Sequence, residues 1–205
     1  NLRVAAARFG FGCRVDFEKR RVYIPERVLN QAVASAPSQF TFYGLKPEFD
    51  VLVDPTSIYT IGGSSALYVT ALDGSRHIAT MKDLEDFTRL LDAMPNLHIM
   101  HGIVNPQDIP QEGFDRILFP AIMENTSRNY YSQALGAQGV RDQVAMAALV
   151  AGGLEAFRRR PFFSIVLCML SPLIHPRLRL EELAELSDEQ IARHFQKADL
   201  PVFLV

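Results

Sequence analysis

The sequence predicts an α/β protein: a partial (β/α)8 TIM barrel, about half a barrel, preceded by a small mixed α+β region. Three observations predict it. From Thr80 onward, β-prone stretches at 97–104, 129–135, 162–169 and 201–205 alternate with helical ones, as βαβ units in a parallel sheet do. The competing dinucleotide-binding sheet lacks its fingerprint. Phe9-Gly10-Phe11-Gly12 stops at Gly-x-Gly, and no Gly-Lys-Ser/Thr phosphate loop follows. Finally, 205 residues at 48% hydrophobic and 21% charged suit a packed globular core rather than a disordered tail or a coiled coil.

Residues 1–79 form the N-terminal mixed region. An alternation over 15–24 with the charged middle Glu18-Lys19-Arg20-Arg21 suits a small hairpin. Pro25 fits the first turn of a helix, where its missing N–H costs nothing. Val28, Leu29, Ala32, Val33 and Ala36 then keep one apolar face until Pro37. Short β-prone pieces at 40–43, 51–53 and 58–60 follow, and Gly62-Gly63-Ser64-Ser65 reads as a turn, either flexible or facing a ligand.

Residues 80–205 read as the first half of the barrel, incomplete at the C-terminus. Thr80-Met81-Lys82-Asp83 has the form of a capping box with Asp replacing Glu. Leu84, Phe87, Leu90, Leu91 and Met94 recur at helical spacing until Pro95-Asn96. Helical patterns at 113–124 and 140–151, with a further turn or two to Arg160, separate the strands, and 180–198 is a charged amphipathic helix. Arg158-Arg159-Arg160 reads as a solvated helix end.

Twenty-one basic against 23 acidic residues give no bulk attraction to nucleic acid or to an anionic membrane. No apolar run approaches 18 residues, so no membrane span is expected. Cys13 and Cys168 are too few for a disulfide framework or a zinc quartet, and a cytoplasmic chain is the expectation. With no His-Glu-x-x-His or Cys-x-x-Cys, no protein-bound metal is expected in this segment. The chain starts at Asn1 in mid-pattern and stops in the apolar run ending at Val205, which reads as a piece of a longer protein.

In a parallel barrel the reactive groups gather where strands hand over to helices. The candidates there are His101, then Tyr130, Tyr131 and Gln133, then Ser171. His101 titrates near neutrality and could serve as a base or a donor, or be a satisfied core residue. Tyr130 and Tyr131 point to opposite sides of a strand, and an aromatic face attracts a cationic amine by roughly 0.5–2 kcal/mol; core packing is the other reading. Asn125-Thr126-Ser127-Arg128 enters a strand and so belongs to the opposite, structural end. Asp83, Glu85 and Asp86 lie in a first helical turn, where carboxylates complement the helix dipole.

Several stretches taken together resemble the trimethylamine methyltransferase family of corrinoid-dependent methyltransferases, which includes glycine betaine methyltransferases. They are Gly12-Cys13-Arg14-Val15-Asp16, Arg21-Val22-Tyr23-Ile24-Pro25, Ala34-Ser35-Ala36-Pro37, Ile61-Gly62-Gly63-Ser64-Ser65-Ala66 and Ala79-Thr80-Met81-Lys82-Asp83-Leu84, then Asp92-Ala93-Met94-Pro95-Asn96, Pro106-Gln107-Asp108-Ile109-Pro110, Asn125-Thr126-Ser127, Ala151-Gly152-Gly153 and Ser171-Pro172-Leu173. The ordered set is specific although no single member is.

The resemblance implies transfer of a methyl group from trimethylamine or a quaternary amine such as glycine betaine to the cobalt of a corrinoid (cobalamin) carried by a partner protein. The corrinoid protein and a small methylated amine are the implied partners, with a homo-oligomer possible. On this reading His101, Tyr130, Tyr131, Gln133 and Ser171 bind substrate, and Gly62, Gly63 and Ser64 form a loop near the barrel mouth. The position that holds pyrrolysine or its replacement would lie beyond Val205, Arg128 stands where a Lys is common, and 175–188 is unusually long and charged. Two rivals remain: a truncated, catalytically incompetent half barrel acting as a binding or split-protein partner, and a phosphate-using barrel enzyme, disfavoured because the usual phosphate loops follow later strands.

Overall fold

The structure, a computed structural model, describes residues 12–16, 18, 19 and 21–166. At its centre is a parallel sheet of three strands, β7 (Ile99–His101), β8 (Asn129–Ser132) and β9 (Phe163–Ile165), in the order β7-β8-β9. In register, Met100 lies beside Tyr130 and Tyr130 beside Phe163. The strands are shorter than the apolar runs that announced them, but the pairing continues beyond them, with Val166 N–H donating to Ser132 O.

Helices cover one face of this sheet. α2 (Met81–Asp92) begins with the expected capping box. Thr80 N–H donates to Asp83 Oδ2 at 2.8 Å and Asp83 N–H to Thr80 Oγ1 at 3.3 Å. The helix buries Leu84, Thr88 and Leu91, spaced at about one turn. α3 (Phe114–Met123) links β7 to β8, and α4 (Gly136–Val150) and α5 (Leu154–Arg159) link β8 to β9. Leu84, Met100, Phe119, Ile122, Tyr130 and Phe163 form the shared core. Fully burying an apolar side chain of this size contributes about 1.5–3 kcal/mol.

The other face of the sheet carries Ile99, His101, Asn129, Tyr131 and Ser164, the residues that alternate with the helix-facing ones. At the strands' N-terminal ends it is closed by an antiparallel hairpin of β3 (Phe40–Phe42) and β4 (Val51–Val53). Phe42 and Val51 pack on Ile99, with Tyr131 against the same cluster. Asn129 Nδ2 donates to Tyr43 O at 2.9 Å, and Lys46 N–H to Ser127 O at 3.1 Å. Arg160 corrects the expectation of a solvated helix end. Its guanidinium makes two 2.8 Å bonds to Asp50 and lies 4.9 Å from the Tyr43 ring centroid, because the hairpin brings a carboxylate to the end of α5.

The expected hairpin near the start is present as β1 (Arg14–Asp16) and β2 (Arg21–Tyr23). The helix after Pro25 is α1 (Glu26–Ser35), with Pro25 as its N-cap residue, but it buries none of its side chains among the described residues. A hairpin of β5 (Tyr68–Thr70) and β6 (Arg76–Ile78) went unpredicted, although Asp73-Gly74 at its tip is a recognised hairpin signal. Gly74 there has φ 85°.

Gly62-Gly63-Ser64-Ser65 is corrected from a turn to an edge lying along β7. Gly62 N–H donates to Ile99 O at 3.4 Å, Ser65 N–H to Gly102 O at 3.1 Å and Ala66 N–H to Ile103 O at 3.0 Å. Parallel bridges Ile61–Ile99 and Ala66–Val104 close the ladder's two ends. These backbone bonds hold the segment beside the strand.

Residues 167–205 lie outside the described residues. They include Cys168, Ser171, the far end of the expected third barrel strand, the predicted helix at 180–198 and the predicted strand at 201–205.

Candidate functional site

A cavity opens at the C-terminal ends of β7 and β8, with about 30 Å³ available to the centre of a water molecule. Its walls bring together four of the residues singled out from the sequence or lying beside them: His101, Tyr130, Tyr131 and Gln133. Ser65, Asn105, Phe114, Asp115 and Leu118 complete most of the lining. Gly62 and Gly63 lie alongside β7 instead: a methyl group on Gly62 would sit 3.4 Å from Leu91 Cδ1, and one on Gly63 3.9 Å from Ile103 Cγ1.

His101 is only 7% exposed, its Nδ1 has no hydrogen-bond partner, and its ring centroid lies 5.6 Å from that of Tyr131. Burial holds its imidazole below the ordinary value of 6.5, against an opposing backbone hydrogen bond at Gly102, so it is neutral at pH 7. Tyr130 sits on the helix side of β8, its ring 5.8 Å from Phe119. Burial pushes its phenol up to about 12, the charge of Asp115 adding to the effect. The two adjacent tyrosines therefore part as strand alternation requires, Tyr130 toward the helices and Tyr131 toward His101.

Behind the cavity, Gln143 of α4 is fully buried and ties the strand end to the helix. Its Oε1 accepts from Ser132 Oγ at 2.8 Å and its Nε2 donates to Gln133 O at 2.9 Å. Ser65 has φ 59°, a left-handed conformation uncommon for a side-chain-bearing residue and concentrated at functional sites. At the opposite end, Asp92 accepts from Thr126 Oγ1 and Ser127 N–H, each at 2.8 Å, while Arg128 donates to the carbonyls of Asp92 and Met94. The 125–128 run is thus a structural joint.

Sequence reasoning missed Asn105 and Asp115 and left Ser65 open. Ser65 lay within a stretch read as a turn, either flexible or facing a ligand, while Asn105 and Asp115 belong to no motif. Among the described residues no group of three or more His, Cys, Asp or Glu could hold a metal ion, and no helix is long and apolar enough to cross a membrane.

Comparison with known proteins places these residues in context. A family profile described as trimethylamine methyltransferase (MTTB) matches residues 5–197. A glycine betaine methyltransferase of Desulfitobacterium hafniense (strain Y51) is 30% identical over 157 residues, 76% of this chain and 33% of that protein. The trimethylamine methyltransferase MttB of Desulfitobacterium hafniense (strain DSM 10664 / DCB-2) is 31% identical over 163 residues, 79% of this chain and 33% of the relative. That of Methanosarcina thermophila is 27% identical over 169 residues, 79% of this chain and 35% of the relative. The chain spans about a third of the length of these relatives. With a family match over nearly its whole length, the chain belongs to the trimethylamine methyltransferase family.

Proposed function

We infer that the protein of which these residues form part is a methyltransferase that takes a methyl group from a small methylated amine, trimethylamine or a quaternary amine such as glycine betaine. The methyl acceptor on this reading is the cobalt of a corrinoid carried by a partner protein, which is a co-substrate. The observation that carries the reading is family membership, joined to a cavity at the C-terminal strand ends lined by His101, Tyr130, Tyr131 and Gln133.

The parallel sheet is read as the opening part of a (β/α)8 barrel over 80–205, with 1–79 as a smaller N-terminal region. Barrel enzymes place their chemistry at the C-terminal face, where this cavity lies. Tyr131 supplies an aromatic wall for the cationic amine. His101, neutral and 5.6 Å from that ring, supplies polar lining together with Gln133, and the resemblance adds Ser171 to that role. Such a site acts by positioning: it aligns the N–CH3 bond with the acceptor and keeps water away from both.

Titrating the full-length protein with trimethylamine and with glycine betaine tests the reading. Tyr131→Leu should weaken amine binding by roughly 2- to 30-fold, the equivalent of 0.5–2 kcal/mol. Failure of the wild type to bind either amine refutes the assignment; unchanged affinity in Tyr131→Leu and Tyr130→Leu alike removes the aromatic wall.

A further inference from the structure

The cavity lining holds three buried polar atoms without hydrogen-bond partners: His101 Nδ1, Asn105 Oδ1 and Asp115 Oδ1. The last two can only accept. Asp115 is 2% exposed, and its other oxygen, Oδ2, takes the Leu135 N–H at 2.9 Å. Gly139 of α4 makes room for it, since a Cβ there would stand 2.3 Å from Oδ2. The carboxylate is therefore held in a fitted pocket by one oxygen, with the second left open.

Its charge is not fully balanced. Arg116 Nε is 3.6 Å from Asp115 Oδ1 but is itself without a hydrogen bond, while Arg116 Nη1 donates to Asp142 at 3.2 Å. One guanidinium is thus shared between two carboxylates, and its contact with Asp115 is the longer one. A buried carboxylate with an open acceptor calls for a donor that is cationic, and the apolar neighbours Val104, Phe114 and Leu118 suit methyl groups around it. A protonated methylamine offers both an N–H⁺ and a methyl shell. A quaternary amine offers only the shell.

We propose that Asp115, with Asn105 as a second open acceptor in the same lining, takes the N–H of a protonated methylamine and so selects it over a quaternary ammonium ion. The proposal rests on the methylated-amine reading above and narrows its substrate class. A site built to hydrogen-bond a substrate group rejects the analogue that lacks it, because the site's own polar atoms are left unpaired.

The test uses two probes that differ chiefly in N–H against N–CH3, trimethylammonium and tetramethylammonium chloride, titrated calorimetrically into the full-length protein at pH 7. The wild type should prefer trimethylammonium. Asp115→Asn should lower that affinity by about 10- to 100-fold, the range of a charge-assisted hydrogen bond, and lower tetramethylammonium binding less, since that ion loses only the attraction of the charge. Asn105→Ala, in a loop outside the helices, should give a smaller loss with the same selectivity and carries the test if Asp115→Asn does not fold. Equal binding of the two cations by the wild type, or equal loss of both in either folded variant, overturns the proposal while leaving the methylated-amine reading standing. Absence of any binding removes both.

Discussion

Replacing Gln143 by Leu probes how the helix layer holds the strand end that carries Gln133. The side chain is fully buried and makes two hydrogen bonds, from Ser132 Oγ and to Gln133 O. Each is worth about 1 kcal/mol net. Ser132 Oγ also lies 3.3 Å from Gln133 O, so the hydroxyl can turn to that carbonyl and relieve part of the penalty for leaving both groups unpaired. Leucine fills a similar volume and regains some apolar burial. The balance is a loss of about 2–3 kcal/mol for Gln143→Leu. Removing the other partner as well, in Ser132→Ala/Gln143→Leu, should recover about 1 kcal/mol relative to additivity. Urea unfolding of the full-length protein, with amide exchange at Gln133 and Ala134 as a local readout, measures both. A loss below about 0.5 kcal/mol, the level of an ordinary surface change, or strict additivity in the double variant, would refute the reasoning.

Two further outcomes follow from electrostatics and capping. Thr80→Ala should destabilise by about 1 kcal/mol. Burial alone would raise the Asp83 carboxyl, but hydrogen bonds from Thr80 and His77 outweigh it and hold it below 3.8, so its contribution is present above that value and lost as pH falls through the folded one; a Thr80→Ala defect that stays constant into strong acid contradicts this. The imidazole of His101, held below 6.5 by burial, favours the fold above 6.5 and loses that contribution as pH falls toward its folded value. His101→Gln should therefore unfold with a flatter acid limb between pH 7 and 5 than the wild type, and parallel urea midpoints across that range would count against a buried neutral ring.

Much of the helix layer was legible because its signals are local. Thr80 and Asp83 form a cap within one turn, and Leu84 and Leu91 mark a face by spacing alone. The same holds for the residues at the C-terminal ends of the strands, since His101, Tyr130, Tyr131 and Gln133 follow from strand position without tertiary knowledge. What escaped depends on distant partners. Gly62-Gly63-Ser64-Ser65 has turn composition, and only hydrogen bonds to residues nearly 40 positions away make it an edge. Arg160 looks like a solvated charge until Asp50 arrives, 110 residues earlier in the chain. Asp115 carries no motif of its own, and the absence of a side chain at Gly139 that lets α4 close on it is a fact about a different helix.

The hairpin of β3 and β4 carries a consequence for traffic. Phe42 and Val51 seal the inner face of the sheet at Ile99, and the bonds from Asn129 to Tyr43, Lys46 to Ser127 and Arg160 to Asp50 rivet it in place. That face of the sheet is therefore closed where its strands begin. Among the described residues, the way to His101 and Tyr131 that this hairpin leaves open is the one past the strands' far ends.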